Sequence, residues 1–524
     1  HADQWRDIRD EGSTDMRYLS GDPWPLKEKK ARDAQGVERP HIALDELNQY
    51  LNQLVNGARQ NRRAIKVLPA GRGADDKSAE FRSALIRQIE YKSNAQTAYL
   101  TALESCASRS YGYFRIGKRY VSDSDFDQEL IVKRIPNPDT VSIDPDAMEV
   151  DAHDMKDAFV IESFTHEEFR RKWPNATIRS FGADQIADSQ GWVGEDKIQV
   201  AEYWKRETQR KTLLMLQGPQ GAFNVFKDEA PPDMLKALPI LKQRTVAVAR
   251  IIKRMTNGLE VLPDDDGNTE LAWDGKYIPI VPVYGREMWF DDGSGAKRRL
   301  MSLIRLARDP YMLYCFYRTS ELELVGQVPK VPWVGYEGQF EGHEAEWQSA
   351  NKVPVAFLQA KGRLDSMPGQ ILPLPVRNVW EPPIQALEMG AEAARRAIQA
   401  AMGITSLPTS AQRQNEKSGI ALQRIEAQQD RGSYHFLDAY DRALEHGGRI
   451  LDDLIDKTYD TERELGLRKP DDTQEVVRIN TPEPYQVQGE QEPRQLRTDQ
   501  GDHDITISTG PSYESQREEA TEFA

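Results

Sequence analysis

Two strongly periodic helical stretches, kept apart by an aromatic insert, set the frame into which the rest of this chain fits. The first, "ARDPYMLYCFYRTSELELVGQ" (307–327), opens with Asp309 as N-cap and Pro310 at the first helical position, the favoured chemistry for a start. Leu313, Phe316, Tyr317, Ser320 and Leu324 then recur on one face. The second, "PPIQALEMGAEAARRAIQAAMG" (382–403), carries Ile384, Leu387, Ala391, Ala394, Ile398 and Met402 at steps of three and four. Its alanines let neighbouring backbones approach closely. Each stretch spans about 30 Å at a rise of ~1.5 Å per residue. The residues between them, 328–380, are aromatic and rich in Pro and Gly, and are expected to form a small separate module at the tips of two helices.

A third long helix is expected over 433–458, with Leu437, Tyr440, Leu444, Leu451 and Leu454 as its apolar stripe. Gly447 and Gly448 sit inside it, each costing about 1 kcal/mol relative to Ala, so a kink or a very close neighbour is expected. Before it lies the polar strip "PTSAQRQNEKSGIALQRIEAQQDRG" (408–432), with almost no large apolar side chain.

The first 300 residues predict a mixed α+β body. Leu44, Leu47, Leu51 and Leu54 mark an amphipathic helix within 41–63, and "AIKVLP" alternates like a strand. Residues 77–107 predict one long helix, capped by Ser78, with Ile86, Ile89, Ala95 and Leu100 buried. "YGYFRIGKRYV" and "QELIVKRIPNP" predict a β pair joined by the acidic turn "SDSDFD". Further strands are expected at 158–164, 197–204 and 244–252, and a last one in "HDITISTG".

The 524 residues carry a net charge of −15, which excludes a general nucleic-acid binder and leaves room only for local, weak contacts. Hydrophobic residues at 39% are few for one large core, which suits an elongated or ring-forming molecule. Cys106 and Cys315 stand far apart without metal-like spacing, so both are expected to pack as small apolar side chains in a reducing compartment. No apolar run approaches the ~18 residues of a membrane span. The chain begins at His1 and stops in "SYESQREEATEFA", and both ends are expected to continue.

Catalytic and metal signatures fail on their own chemistry. No G-x-x-x-x-G-K-[ST] phosphate loop and no G-x-S-x-G elbow occurs. "DPDAMEVDAHD" lacks the loop glycine and terminal glutamate of a calcium hand, and "FTHEEF" lacks a second histidine for zinc. No enzyme activity, metal or cofactor is expected.

The order of these parts resembles the portal proteins of tailed double-stranded DNA bacteriophages, the short-tailed phage family in particular. The residues that carry the resemblance include "RQNRRAIKVLP" (59–69), "LIRQIEYKSNAQTAYLTALES" (85–105), "YGYFRI" (111–116) and "KRIPNPDTVSIDPDAMEVDAHDMKDAFVIESFTHEEFRRKWPNA" (133–176). "IPIVPVYGRE" (278–287) and "KSGIALQRIEAQQDRG" (417–432) add to them. The resemblance implies an α+β portal fold: a wing over 1–304, a stem of helices at 305–327 and 381–403, and a clip over 328–380. A tunnel loop with its flanking segment would fill 404–432, a long helix and returning wing strands 433–511, and a truncated helical crown would begin at 512–524. About 12 copies would close into a ring. The ring would replace one capsid vertex of a virion assembled in the host cytoplasm, pass double-stranded DNA during packaging and ejection, and meet capsid and scaffolding proteins. It would dock the terminase large subunit and then the head-completion and tail adaptors. A different connector ring, and a metal-dependent nuclease or hydrolase, are the alternatives.

Within that resemblance Gln412, Arg413, Gln414, Asn415, Lys417 and Ser418 would touch passing DNA without gripping it; the rival reading is an ordinary solvated loop. Arg395 and Arg396, with Glu388 and Glu392 one or two turns earlier, are stem ion pairs or channel wall. Trp333, Tyr336, Phe340 and Trp347 either anchor a partner or build the core of their own module.

Overall fold

The computed structural model describes residues 2–33, 39–71, 74–177, 197–218, 221–228, 230–264, 266–291, 293, 295–327, 332–350, 355–363, 369–377, 383–403, 419–469, 473–484, 495–498 and 501–509. The chain forms two compact bodies, one from residues 1–14, 51–303 and 433–524, the other from residues 15–50 and 304–432. Helix and sheet are mixed, in the α+β class expected.

In the first body the main sheet runs Leu271–Trp273, Ile240–Thr256, Lys197–Gly218, Asp157–Thr165, Val141–Ile143, with Gly221–Phe226 and Val261–Leu262 as side partners. A second sheet pairs Ile280–Tyr284 with Tyr111–Tyr120 and that strand with Gln128–Arg134, the hairpin expected around "SDSDFD". Trp5, Tyr111, Tyr113, Ile143, Trp204, Ile251 and Tyr284 share one core, and the Trp5 indole N–H donates to the Ile143 carbonyl at 2.9 Å.

Two strands outrun their expected bounds. The stretch 197–204 begins a 22-residue strand, and 244–252 lies inside Ile240–Thr256. Beyond Glu207 the polar run Thr208 to Thr212 interrupts the apolar alternation, which resumes at buried Leu214 and Leu216; ladder bonding to each other and to Gly221–Phe226 carries the strands through the gap.

The expected single helix over 77–107 is two, Asp76–Ser93 and Ala95–Arg109, broken where Asn94 takes a left-handed φ of 51°. The cap is Asp75, whose carboxylate accepts from Ser78 N–H; Ser78 returns a bond to the Asp75 N–H as the far half of a capping box. The break resets the helical phase, so Ala98, Tyr99, Ala102 and Leu103 are buried and Leu100 only half so. Likewise the helix near residue 48 starts at Asn48, which leaves Leu44 exposed before it.

The helix expected from 433 is 40 residues long, Gly419–Thr458. A Cβ on Gly447 would lie 3.1 Å from the Phe114 ring, and one on Gly448 2.7 Å from Ile505 and 2.8 Å from Ile65. Close neighbours explain both glycines. Arg82, on helix Asp76–Ser93, donates to Asp452 Oδ1 at 2.6 Å and to the Thr498 carbonyl at 2.5 Å, and pairs with Asp456.

His446 is enclosed on the same long helix, edge-on to Tyr277 at 5.3 Å between ring centroids. Neither ring nitrogen finds a hydrogen-bond partner among the described residues. Burial pushes its pKa down to about 4; nearby Asp151 opposes that shift, while His153 and Arg449 add to it. The unfolded chain therefore binds the extra proton between roughly pH 6.5 and the folded value, and stability is lost as pH falls through that window. Urea titrations at pH 7.5 and 4.5 should show the native chain losing about 2–3 kcal/mol more than His446→Leu. Equal losses would contradict the assignment.

In the second body, helix Arg308–Gln327 packs on helix Ile384–Met402 so tightly that a Cβ on Gly390 would meet the Tyr317 ring at 2.8 Å. Asp309 and Pro310 fall inside the first turn instead of capping it, because a 3-10 turn, Arg305–Ala307, leads directly into the helix. Thr319 Oγ1 accepts from the Ile42 N–H at 3.2 Å, and the Trp24 indole donates to the Ile42 carbonyl at 3.0 Å, which pins segment 39–50 to this body.

Candidate channel wall and docking residues

Helix Ile384–Met402 buries Ala391, Ala394, Ile398 and Met402, the face expected from its periodicity. Helix Arg308–Gln327 meets the expectation only in part. Its enclosed side chains are Tyr311, Tyr314, Cys315 and Thr319, while Leu313 and Phe316 are exposed. At 100° per residue, Leu313, Phe316, Ser320 and Leu324 lie diametrically across from that enclosed face. Of the expected stripe, Tyr317 packs on Gly390 and Ser320 and Leu324 are half-buried, so Leu313 and Phe316 are the members left bare.

The second helix also has two apolar faces. Opposite its buried side run Ala386, Met389, Ala393, Ala397 and Ala400, all exposed, with Met389 at 75%. Sequence reasoning missed this stripe, although its steps of three and four are visible in "ALEMGAEAARRAIQA".

Charged residues flank it. Arg396 pairs with Glu392 one turn back at 3.5 Å, and Arg395 reaches Glu46 at 3.3 Å. Glu46 was missed because nothing in sequence links positions 349 residues apart. Glu388 is exposed and unpaired among the described residues, so it does not join the expected ion-pair set.

In the insert, Trp333, Phe340 and Trp347 pack on one another: Trp347 meets Trp333 at 5.2 Å and Phe340 at 5.0 Å between ring centroids. Strand Trp333–Val334 pairs with Val376–Arg377, and the buried Gln339 side chain bonds the Tyr336 N–H and the Pro373 carbonyl. Three of the four aromatics thus build the module's interior. Tyr336 stays exposed.

Gln412, Arg413, Gln414, Asn415, Lys417 and Ser418 lie outside the described residues, as does 512–524. Cys106 and Cys315 are buried and free, and burial pushes both thiols up. Among the described residues no three His, Cys, Asp or Glu side chains gather as a metal site, and no helix is long and apolar enough to cross a membrane.

Both helices of the pair keep exposed apolar side chains, Leu313 and Phe316 on one and Met389 with its alanines on the other. The Phage P22-like portal protein family matches residues 1–523, and the chain belongs to that family. A curated relative, the portal protein of Acyrthosiphon pisum secondary endosymbiont phage 1, is 25% identical over 502 residues. The match covers 91% of this chain and 66% of that relative's length.

Proposed function

We propose that this chain is the subunit of a portal ring at a single capsid vertex, through which the genome enters and leaves. About a dozen copies close by a repeated heterologous contact. The bodies read as wing, helical stem and clip, and the strip 404–418 as the tunnel loop. The two outward apolar faces of the paired helices carry this reading: large side chains (Leu313, Phe316) on one helix and small ones (Ala386, Ala393, Ala397) on the other suit ridge-into-groove packing between copies.

A channel for DNA works by not holding it. Each neutralised phosphate adds to a salt-dependent affinity, so a dozen firm contacts would stall movement. A subunit of net charge −15, lined by scattered basic and amide groups such as those at 412–417, meets the backbone with brief contacts. The terminase large subunit, head-completion and tail adaptors, capsid and scaffolding proteins are the partners of such a ring. The energy for packaging comes from the motor, not from this chain.

Native mass measurement of the purified chain tests the reading. Wild type is expected as one closed multimer near 12 copies, and Phe316→Glu with Met389→Glu as folded monomers, a shift in half-assembly concentration of at least about 100-fold. Wild type that stays monomeric at every salt and concentration, or divalent-dependent nucleic-acid or ester hydrolysis lost on one carboxylate substitution, would defeat it.

A further inference from the structure

Residues 205–254 hold 11 Lys and Arg against four Asp and Glu, inside a chain whose net charge is −15. They form a β-arm in which strand Lys197–Gly218 is sandwiched between Gly221–Phe226 and Ile240–Thr256. Toward its end the arm buries Leu214 and Leu216 on one face and leaves Leu213 and Met215 half-buried on the other. Part of its charge is already matched: Glu270 takes Arg250 and Arg254, at 3.5 Å and 2.7 Å, and Glu207 takes Lys205 at 3.1 Å. Arg210, Lys227, Lys242 and Arg244 are exposed without a carboxylate partner among the described residues.

The unmatched charge is mixed with half-buried apolar groups. Lys242 and Arg244 point to one face, being two residues apart on a strand, and stand across from half-buried Met215 and Leu213, while exposed Ile240 and Phe223 flank Leu216 on the other face. A phosphate backbone has no use for such side chains; a protein surface with acidic and apolar groups does.

That surface exists elsewhere on the same body. The turn between Tyr111–Tyr120 and Gln128–Arg134 exposes Tyr120, Val121 and Phe126, the last at 95%. Asp123 and Asp125 stand among them with no cation paired to either among the described residues, Asp125 accepting only the Asp127 N–H, while Asp127 is held by Arg463. Acidic with aromatic on the turn, basic with aliphatic on the arm: each patch supplies what the other lacks.

We infer that the β-arm of one copy docks on the 120–126 turn of a second copy. Two different patches on one chain make a heterologous contact, the kind that closes a ring or extends a filament. The inference rests on the ring reading and adds a contact to it, separate from the paired helices.

A charge swap tests it. Lys242→Glu with Arg244→Glu, and separately Asp123→Lys with Asp125→Lys, should each raise the half-assembly concentration about tenfold or more, with circular-dichroism melts unchanged. All four substitutions in one chain should restore assembly, and 1 M salt should weaken wild-type rings. Rings that form normally in either pair, or a fourfold variant that stays impaired, would overturn the docking while leaving the ring reading intact. So would arm substitutions that alter only duplex DNA binding. Wild type that never self-associates overturns both.

Discussion

Replacing Asp15 by alanine is expected to lower the unfolding free energy by about 3–5 kcal/mol, the cost of stranding buried cations. Asp15 has no exposed surface and takes bonds from Arg305 Nε at 3.1 Å and Nη2 at 2.8 Å, and from Arg308 Nε at 2.5 Å. It therefore fixes the point where the 3-10 turn Arg305–Ala307 passes into helix Arg308–Gln327. The expectation is specific about direction within the cluster. Arg305→Met made together with Asp15→Leu should recover part of the loss, because one buried cation leaves with the carboxylate while Arg308 keeps its charge. Urea unfolding of the single and double variants measures both; a loss under about 1 kcal/mol for Asp15→Ala would show the cluster to be solvated.

Gly112→Ala should be the most damaging change of a single methyl group. A Cβ there would lie 2.0 Å from the Ala102 carbonyl oxygen, 2.8 Å from its carbon and 2.9 Å from its Cα. These are backbone atoms of helix Ala95–Arg109, which lies against the strand, so no rotamer change relieves the clash. We expect a loss of at least about 3 kcal/mol and largely insoluble protein. Gly117→Ala on the same strand is the control: its Cβ would meet only Ile131 and Lys133 side chains, at 3.8 Å and 3.9 Å, and should cost below about 1 kcal/mol. Comparable damage at both positions would assign the effect to strand propensity instead of the close approach.

How far the sequence could be read depended on whether a residue's partner lay nearby. Helix Ile384–Met402 was legible because its buried stripe repeats within the helix itself. Helix Arg308–Gln327 was legible as a helix but not as to which face its own chain covers. Leu313 and Phe316 are more apolar than Tyr311, Cys315 and Thr319, so periodicity pointed to a stripe of which these two stay bare. The hydroxyl of Thr319 takes a backbone bond from Ile42, which makes the less apolar face the enclosed one. The break at Asn94 was hidden inside a continuous helical pattern, and the outer halves of strands 197–218 and 240–256 carry polar residues on both faces. Arg395 was recognised as an ion-pair former, but its partner Glu46 comes from a distant segment. The residues assigned to the tunnel loop lie outside the described chain, so their role rests on the resemblance and on their chemistry.

Closed annularity is the claim on which the functional account depends, and electron-microscope images of the purified chain test it most directly. The account predicts end-on views with about 12-fold symmetry and a central hole wide enough for a double helix. Compact single particles without a hole, open filaments, or rings too narrow for a duplex would contradict it.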